Sequence, residues 1–319
     1  MLLSLILILR LYSVEAFGGD PEIFLNIENA FLNPAVMSIF PKQVFTTSLL
    51  GQPFTDFSAG LFLGNFAFAF GRPEPMIDNE DIQGAMPLEE TPKPTNLRLF
   101  SGISVGRENI SFGISAGYAR HSSSIQIFGG EIHKQTQVFS GAVGSFLNYQ
   151  KFLVDISLPF EYGWNLYQKS VTLQPQIKQV ADLLTITPRL RAILKGKFDI
   201  GFYTIPKLFH INETPRFGGD IGSFLNFVMK DLNFLFSISF HQIIYPSILF
   251  TSGTTFSINK YISLLFGFSE RFKKINESED FTHSVRVGIR TQYKELEIGI
   301  STRLEEIQKS ININLFFFL

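Results

Sequence analysis

The chain has 319 residues, a formal net charge of −1 and no cysteine. This charge balance excludes the strongly basic surface on which nucleic-acid binding depends, and the cysteine count excludes a disulfide framework. Hydrophobic residues make up 45% of the chain, yet beyond the N-terminus no run reaches the roughly 18 apolar residues of a membrane helix.

Residues 1–16 are predicted to be a secretory signal peptide. Leu2–Leu9 is a compact apolar core, and Val14-Glu15-Ala16 places small residues where signal peptidase needs them. We expect cleavage after Ala16. The basic residue, Arg10, follows the apolar core instead of preceding it, which is atypical. A membrane anchor is the alternative, but the apolar core is too short to span a bilayer.

Residues 17–56 precede the first clear strand and are predicted to be a periplasmic or hatch segment. This segment contains the motif Asn33-Pro34-Ala35, with the apolar residues Phe31 and Leu32 before it. Its many apolar side chains would suit packing inside a wide barrel. Val44–Leu50 could instead form a further strand, which would shorten the hatch.

From residue 57 to residue 319, about fourteen stretches alternate apolar residues with small or polar ones. In one of them Ile110, Phe112 and Ile114 fall on one face, and Ser111 and Gly113 fall on the other. A period of two places alternate side chains on opposite faces of a β-sheet. The whole region is therefore predicted to be antiparallel β-structure.

The connections between these stretches are alternately tight and long. The tight ones are Gly106–Asn109, Asn148–Gln150, Lys195–Lys197, Lys230–Asp231, Asn259–Lys260 and Tyr293–Lys294. The long ones are Gly71–Asn96, His121–Thr136, Glu161–Val180, Lys207–Gly218, Ile243–Ser247, Phe272–Asp280 and Glu305–Lys309. Short turns on one side, long loops on the other and an even strand number are typical of a bacterial outer-membrane β-barrel.

The predicted fold class is therefore all-β: a transmembrane antiparallel β-barrel of about 14 strands with a short N-terminal plug. Its location would be the outer membrane of a Gram-negative bacterium, with both termini in the periplasm. The first strand, Phe57–Phe70, would run outward. The last residues, Asn314–Leu319, are similar to the C-terminal strand signal that the barrel assembly machinery recognises during biogenesis.

Charged side chains fall on predicted inward faces, where they are candidates to line the lumen. A positively charged lumen would attract anions or carboxylates; the alternative is an ion-pair network that fills the barrel. Pro188 interrupts a strand on its predicted lipid side, which could mark a lateral exit or only a later strand start. The lumenal candidates are Asp155, Arg189, Arg191, Arg286, Arg290, Glu297 and Arg303.

No catalytic motif stands out in the sequence. The five histidines are scattered, and there is no paired-histidine metal spacing, phosphate-binding loop or nucleophile elbow. We therefore expect no enzyme activity, no cofactor and no metal site.

The motif Asn33-Pro34-Ala35, with Phe31 and Leu32 before it, resembles the N-P-A motif of FadL-type long-chain fatty-acid transporters and the related PorV-like outer-membrane proteins. The resemblance implies a fourteen-stranded barrel with an N-terminal hatch inside it. It also implies passage of hydrophobic, fatty-acid-like molecules across the outer membrane, with membrane lipid as the surroundings. The alternatives are a PorV-like anchor of a secretion or surface assembly system, or a general porin.

Overall fold

A computed structural model describes residues 32–39, 43–51, 56–63, 65–71, 95–107, 109–127, 130–171, 174–211, 214–229, 232–242, 246–275, 278–293, 296–305 and 309–318. The predicted signal peptide, Phe31 and most of the loop Gly71–Asn96 lie outside these ranges. Within them, no helix is long and apolar enough to cross a membrane.

These residues form one short 3-10 helix, Pro34–Ile39, and seventeen strands. In chain order the strands are β1 Gln43–Gly51, β2 Asp56–Leu63, β3 Phe66–Gly71, β4 Thr95–Arg107, β5 Ile110–Ile127, β6 Gly130–Asn148, β7 Phe152–Val171, β8 Gln174–Ile186, β9 Arg189–Leu194, β10 Phe198–Ile211, β11 Thr214–Val228, β12 Leu232–Gln242, β13 Pro246–Ser257, β14 Ile262–Ile275, β15 Ser278–Tyr293, β16 Leu296–Glu305 and β17 Lys309–Phe318.

The sheet closes on itself. Strand β1 pairs antiparallel with β2 on one side and with β17 on the other, and neighbours in sequence pair around the rest of the wall. Strands β8 and β9 lie end to end between β7 and β10, so the seventeen described strands occupy sixteen positions around the barrel. The predicted all-β antiparallel barrel is confirmed.

The strand number differs from the predicted fourteen for two local reasons. The predicted first strand, Phe57–Phe70, is a hairpin of β2 and β3 that turns at Asn65. Gln43–Gly51, which the main prediction left in the hatch segment, is strand β1. Both additions keep the number of positions even, so the termini stay on the same side of the barrel.

The outer face of the barrel is apolar. On β5, Phe112 and Ile114 are 61% and 56% exposed, whereas Ser111 and Ser115, which flank them, are buried. Strand β12 repeats the pattern with exposed Phe236, Ile238 and Phe240. In water this arrangement would be inverted, so the exposed face is the one that meets lipid.

Most of the predicted long loops are β-structure instead. His121–Thr136 is the paired end of β5 and β6, and Glu161–Val180 is the paired end of β7 and β8. Strands β5, β6 and β7 are 18, 19 and 20 residues long, whereas about 9–11 residues suffice to cross the bilayer. These strands are therefore long enough to extend the wall beyond the membrane. Their ends look like loops in sequence because polar residues in water can pair in a strand ladder as readily as they form a loop.

Lys207–Gly218 and Phe272–Asp280 were likewise predicted as loops and form strand ends of β10 with β11 and of β14 with β15. The sorting of connections into two sides therefore survives as a difference in strand extension. This holds for the four connections that form strand ends, whereas most of Gly71–Asn96 lies outside the described residues.

Candidate functional site

A tight turn next to the N-terminus is capped by Asn33. The Asn33 side-chain Oδ1 accepts a hydrogen bond from the backbone N–H of Ala35 at 3.2 Å, and the Asn33 carbonyl accepts one from Val36 N–H at 3.0 Å. Pro34 follows the cap at the first helical position, where its missing N–H costs nothing. We call Asn33 together with Pro34–Ile39 the N-terminal turn.

Three glycines on adjacent strands form the floor beneath this turn. They are Gly102 on β4, Gly113 on β5 and Gly144 on β6, and the last two are cross-strand partners. A Cβ atom at Gly113 would lie 2.4 Å from both Ala35 N and Pro34 C, and one at Gly144 would lie 2.1 Å from Asn33 Oδ1. Any larger residue at Gly113 would therefore collide with the backbone of the turn.

The glycine floor lies on the inner face of the barrel. Gly113 alternates with the exposed Phe112 and Ile114, so it points away from lipid. Ser111, on the same inner face, donates a hydrogen bond from Oγ to the Ala35 carbonyl at 2.7 Å. Asn33, Ala35, Val36 and Met37 are all buried. The N-terminal turn is thus packed on the lumenal side of β4, β5 and β6.

A series of buried polar side chains connects the turn to the wall beyond this floor. Asn33 Nδ2 donates to Asp155 Oδ1 at 3.4 Å and to the Ser145 carbonyl at 3.3 Å. Asp155 Oδ2 accepts from Arg191 Nε at 2.6 Å and also pairs with Arg191 Nη2. Asp155 and Arg191 are 4% and 6% exposed. The carboxylate therefore holds the turn with one oxygen and strand β9 with the other.

The wall next to Arg191 has a break in its hydrogen-bond ladder. Pairing of β10 with β9 ends at Thr204 opposite Leu190, and pairing with β8 resumes at Leu208 opposite Ile186. Midway between these two positions, the register sets Pro188 opposite Pro206. Neither proline has an N–H to donate. The break covers three residues, about 10 Å of strand at ~3.3 Å per residue.

The other side of the broken strand stays bonded. Thr187 N–H donates to the Pro159 carbonyl of β7 at 3.0 Å. Pro188 and Pro206 are both exposed on the lipid-facing side. The discontinuity therefore belongs to one seam of the barrel, between β8–β9 and β10.

The other predicted lumenal charges lie on strands β9, β15 and β16. Arg189 is half-buried and faces Ser157 in register. Arg286 and Arg290 are half-buried on β15, on the opposite side of the barrel. Glu297 and Arg303 lie on β16, in register with Gln292 and Arg286, and their side chains are outside the described residues, as is Phe31.

Sequence reasoning did not find the floor or the second proline of the break. In the sequence Gly113 is only one member of a small-residue face. Nothing in its local sequence shows that a segment about 80 residues away packs on it. Pro206 directly precedes the predicted loop Lys207–Gly218, where a proline is unremarkable. The register that sets it opposite Pro188 depends on pairing that only the structure reveals.

A closed antiparallel barrel with an apolar outer belt and a polar lumen is an outer-membrane β-barrel. The chain is thus a protein of the Gram-negative outer membrane, and its fold is shared by solved members of that class. No protein-family model matches the sequence, and no curated protein matches it significantly.

Many solved structures resemble it, among them three with TM-scores above 0.5. CdiB from Acinetobacter baumannii superposes with a TM-score of 0.56 at 8% identity, covering 87% of this chain and 60% of CdiB. CdiB from Escherichia coli gives 0.57 at 8% identity, with 86% and 63% covered. The ferric enterobactin receptor PfeA (G324V mutant) from Pseudomonas aeruginosa gives 0.51 at 10% identity, with 83% and 53% covered. The chain spans less than two thirds of each, so the likeness concerns the barrel.

We predict that Asp155→Asn lowers the free energy of unfolding by about 3 kcal/mol, because removing one partner of a buried ion pair leaves the other charge poorly compensated. Urea unfolding of the folded protein in detergent or lipid measures this value. Asp199→Asn is the control. Asp199 is half-buried and accepts hydrogen bonds at 3.3 and 3.4 Å from Gly196 N and Asn226 Nδ2, so its loss should cost only about 1 kcal/mol.

Replacing both partners, as Asp155→Leu with Arg191→Met, should recover much of the loss, since an apolar pair needs no compensation. Equal losses for Asp155→Asn and Asp199→Asn would show that the Asp155–Arg191 pair does not hold the wall.

Proposed function

We propose that the protein passes hydrophobic small molecules across the outer membrane, with the N-terminal turn as a hatch. The observation that carries the proposal is the seating of this turn on the glycine floor. The comparisons support an outer-membrane barrel, and the cargo is inferred from the architecture and from the resemblance of Asn33-Pro34-Ala35 to the FadL-type motif. Fatty-acid-like molecules are the proposed cargo class.

The size of the barrel makes a hatch necessary for any selective passage. Barrels of 16–18 strands leave an aqueous channel unless something fills the lumen. The described wall has sixteen positions, and the turn occupies the lumenal face of three consecutive strands. A segment in that place would restrict the passage of water and ions, and its buried apolar side chains Val36 and Met37 hold it against the wall.

The contacts of the turn suit a segment that moves. Asn33 is held by hydrogen bonds at 3.3 and 3.4 Å, near the long end of the useful range, and one shorter bond of 2.7 Å joins Ser111 to the Ala35 carbonyl. The glycine floor adds van der Waals contact but no side chains that interlock. Displacing the turn would therefore break a few polar contacts and leave the barrel ladder intact.

The break at Pro188 and Pro206 is the proposed exit for cargo toward the membrane. A hydrophobic molecule gains free energy by moving from the lumen into lipid, at roughly 0.8 kcal/mol per buried methylene. It needs a seam where strands separate without losing ladder hydrogen bonds, and the paired prolines remove those bonds in advance. The Asp155–Arg191 pair joins the hatch to the strand that borders this seam.

A structural or anchoring role is the second candidate. Tyr203, Ile205, Phe224 and Leu235 form a fully buried lumenal cluster on β10, β11 and β12, and β5, β6 and β7 extend past the membrane. A filled lumen and a raised wall suit a protein that presents a surface to a partner. The barrel assembly machinery remains a predicted partner in biogenesis for either role.

A disulfide lock tests the hatch. A Cβ atom at Gly144 would lie 2.9 Å from Asn33 Cγ, close to the separation between one Sγ and the opposite Cβ of a disulfide. The chain has no cysteine, so Asn33→Cys with Gly144→Cys creates a single possible bond. We expect the oxidised variant to be closed to ions and to 1-N-phenylnaphthylamine, a hydrophobic dye, and the reduced variant to pass both.

Conductance is measured in planar bilayers, and dye influx is measured in Gram-negative cells that express the variant. The single variants Asn33→Cys and Gly144→Cys are the matched controls, because neither can form the bond. Their conductance and dye influx should be the same under oxidising and reducing conditions. Equal influx through the oxidised and reduced double variant would contradict the hatch. Silence in both states would favour the anchoring role.

Restoring the ladder tests the exit. We predict that Pro188→Val with Pro206→Val slows dye influx about tenfold, the factor that about 1.4 kcal/mol of recovered hydrogen bonding produces. Ion conductance of the reduced lock variant should not change, because ions do not leave through lipid. Pro159→Val is the control, because Pro159 lies on the neighbouring strand β7, where its carbonyl accepts a hydrogen bond from Thr187. An equal effect there would contradict a lateral exit.

A further inference from the structure

A second polar cluster lies in the lumen on β10, β11 and β12, separate from the N-terminal turn. Its centre is His241, one residue before the end of β12, whose cross-strand partner on β11 is Asp220. The His241 ring makes two hydrogen bonds, one with each nitrogen. Nδ1 lies 2.9 Å from Asp220 Oδ1, and Nε2 lies 2.9 Å from Ser239 Oγ.

This order of atoms is the hydrogen-bond relay that activates a serine nucleophile. With its Nδ1 proton donated to the Asp220 carboxylate, the imidazole presents the Nε2 lone pair to the serine hydroxyl. Both distances lie within the 2.6–3.2 Å range of catalytic nucleophile–base pairs. Lys207 Nζ lies 2.8 Å from the other carboxylate oxygen of Asp220, so the carboxylate is fixed from both sides.

The neighbouring hydroxyl pairs show what ordinary packing of the lumen produces. Ser269 donates to Ser284 at 3.2 Å, and Ser257 lies 3.2 Å from Ser263. Those pairs join hydroxyl to hydroxyl across adjacent strands. Ser239 instead bonds a base on its own strand, two residues along, and that base is held by a carboxylate.

A candidate donor for the reaction's oxyanion lies in the same row of the sheet. Gly222 has Tyr203 and Ser239 as its two cross-strand partners. A Cβ atom at Gly222 would lie 2.5 Å from Tyr203 Oη, so the tyrosine ring lies over the glycine, in the row that leads to Ser239. Among the described residues, the buried Tyr203 hydroxyl has no hydrogen-bond partner. A buried donor without an acceptor indicates a place for one.

We propose that Ser239, His241 and Asp220 form a hydrolytic site for hydrophobic carboxylic esters, with Tyr203 as the oxyanion donor. Ser239 Oγ attacks the ester carbonyl carbon, and its proton passes to His241 Nε2. The carbon–oxygen bond to the alcohol breaks, and the alcohol leaves with that proton. Water then attacks the acyl-serine, gives a proton to His241, and releases the carboxylic acid with Ser239 restored.

The apolar surroundings define the substrate class. Ile205 is the cross-strand partner of Asp220, and it belongs to the buried cluster with Tyr203, Phe224 and Leu235. An ester with an apolar acyl group fits such a neighbourhood, whereas a charged substrate would be poorly solvated there.

Labelling of the full-length folded protein with a fluorophosphonate, which forms a covalent adduct with activated serines, tests the proposal. We expect one adduct by intact mass, located on Ser239, and none in Ser239→Ala or His241→Ala. Ser237→Ala is the matched control, because Ser237 lies two residues away on the same face and hydrogen-bonds Thr251; it should label like the wild type.

Hydrolysis of p-nitrophenyl acyl esters gives the second readout, and Ser239→Ala should lower its rate at least about hundredfold, as loss of a nucleophile does. Retention of the folded form is checked by its altered gel migration before boiling. A wild type that gives no adduct, an adduct that persists in Ser239→Ala, or unchanged ester hydrolysis would overturn the proposal and leave the cluster as packing of the lumen.

Discussion

The closed hydrogen-bond ladder is the constraint on which the rest of the structure depends. In hydrocarbon an unpaired backbone N–H or carbonyl costs several kcal/mol, so a strand wall survives only if it has no free edge. Pairing of β1 with both β2 and β17 removes the edges. Because this ladder is required at nearly every position, the seam where Pro188 faces Pro206 is a specific local departure from it.

Closure at sixteen positions creates a second constraint, since the lumen must be either wet or filled. The sequence meets it with small residues on the inner face of one wall and large ones on another. Gly102, Gly113 and Gly144 leave room for a chain segment, whereas Tyr203 and Phe224 fill the space above Gly222 and Gly201 on the far wall. The same alternation that exposes apolar side chains to lipid therefore also decides where the lumen is open.

Much of the fold could be predicted from period-two patterning, because lipid contact places most apolar residues of a described strand on its outer side. The patterning failed where lipid no longer acts. Beyond the membrane, segments such as Ser122–Ser124 are polar on both faces, and they resemble loops in sequence although they pair in register with β6. The turn inside Phe57–Phe70 was missed because the residues on both sides of Gly64 and Asn65 form a nearly continuous apolar run.

The candidate site was harder to predict, since it depends on contacts between distant segments. Asn33 was identified by its motif, and Asp155 and Arg191 were identified by their predicted inward position. The hydrogen bonds that connect the three depend on the path of residues 32–39 through the lumen. In the sequence His241 is only one of five scattered histidines. Its relation to Asp220 follows from strand register, and a serine two residues before it was the available local signal.

The central claim is that the N-terminal turn rests on the glycine floor, and hydrogen exchange of residues 33–39 tests it most directly. The amides of Ala35 and Val36 donate to Asn33, so they should exchange slowly in the wild-type protein embedded in lipid. In Gly113→Val, whose side chain would occupy the place of Pro34 and Ala35, they should exchange at nearly the rate of an unfolded peptide. Fast exchange of both amides in the wild type, unchanged by Gly113→Val, would contradict the seating of the turn in the lumen.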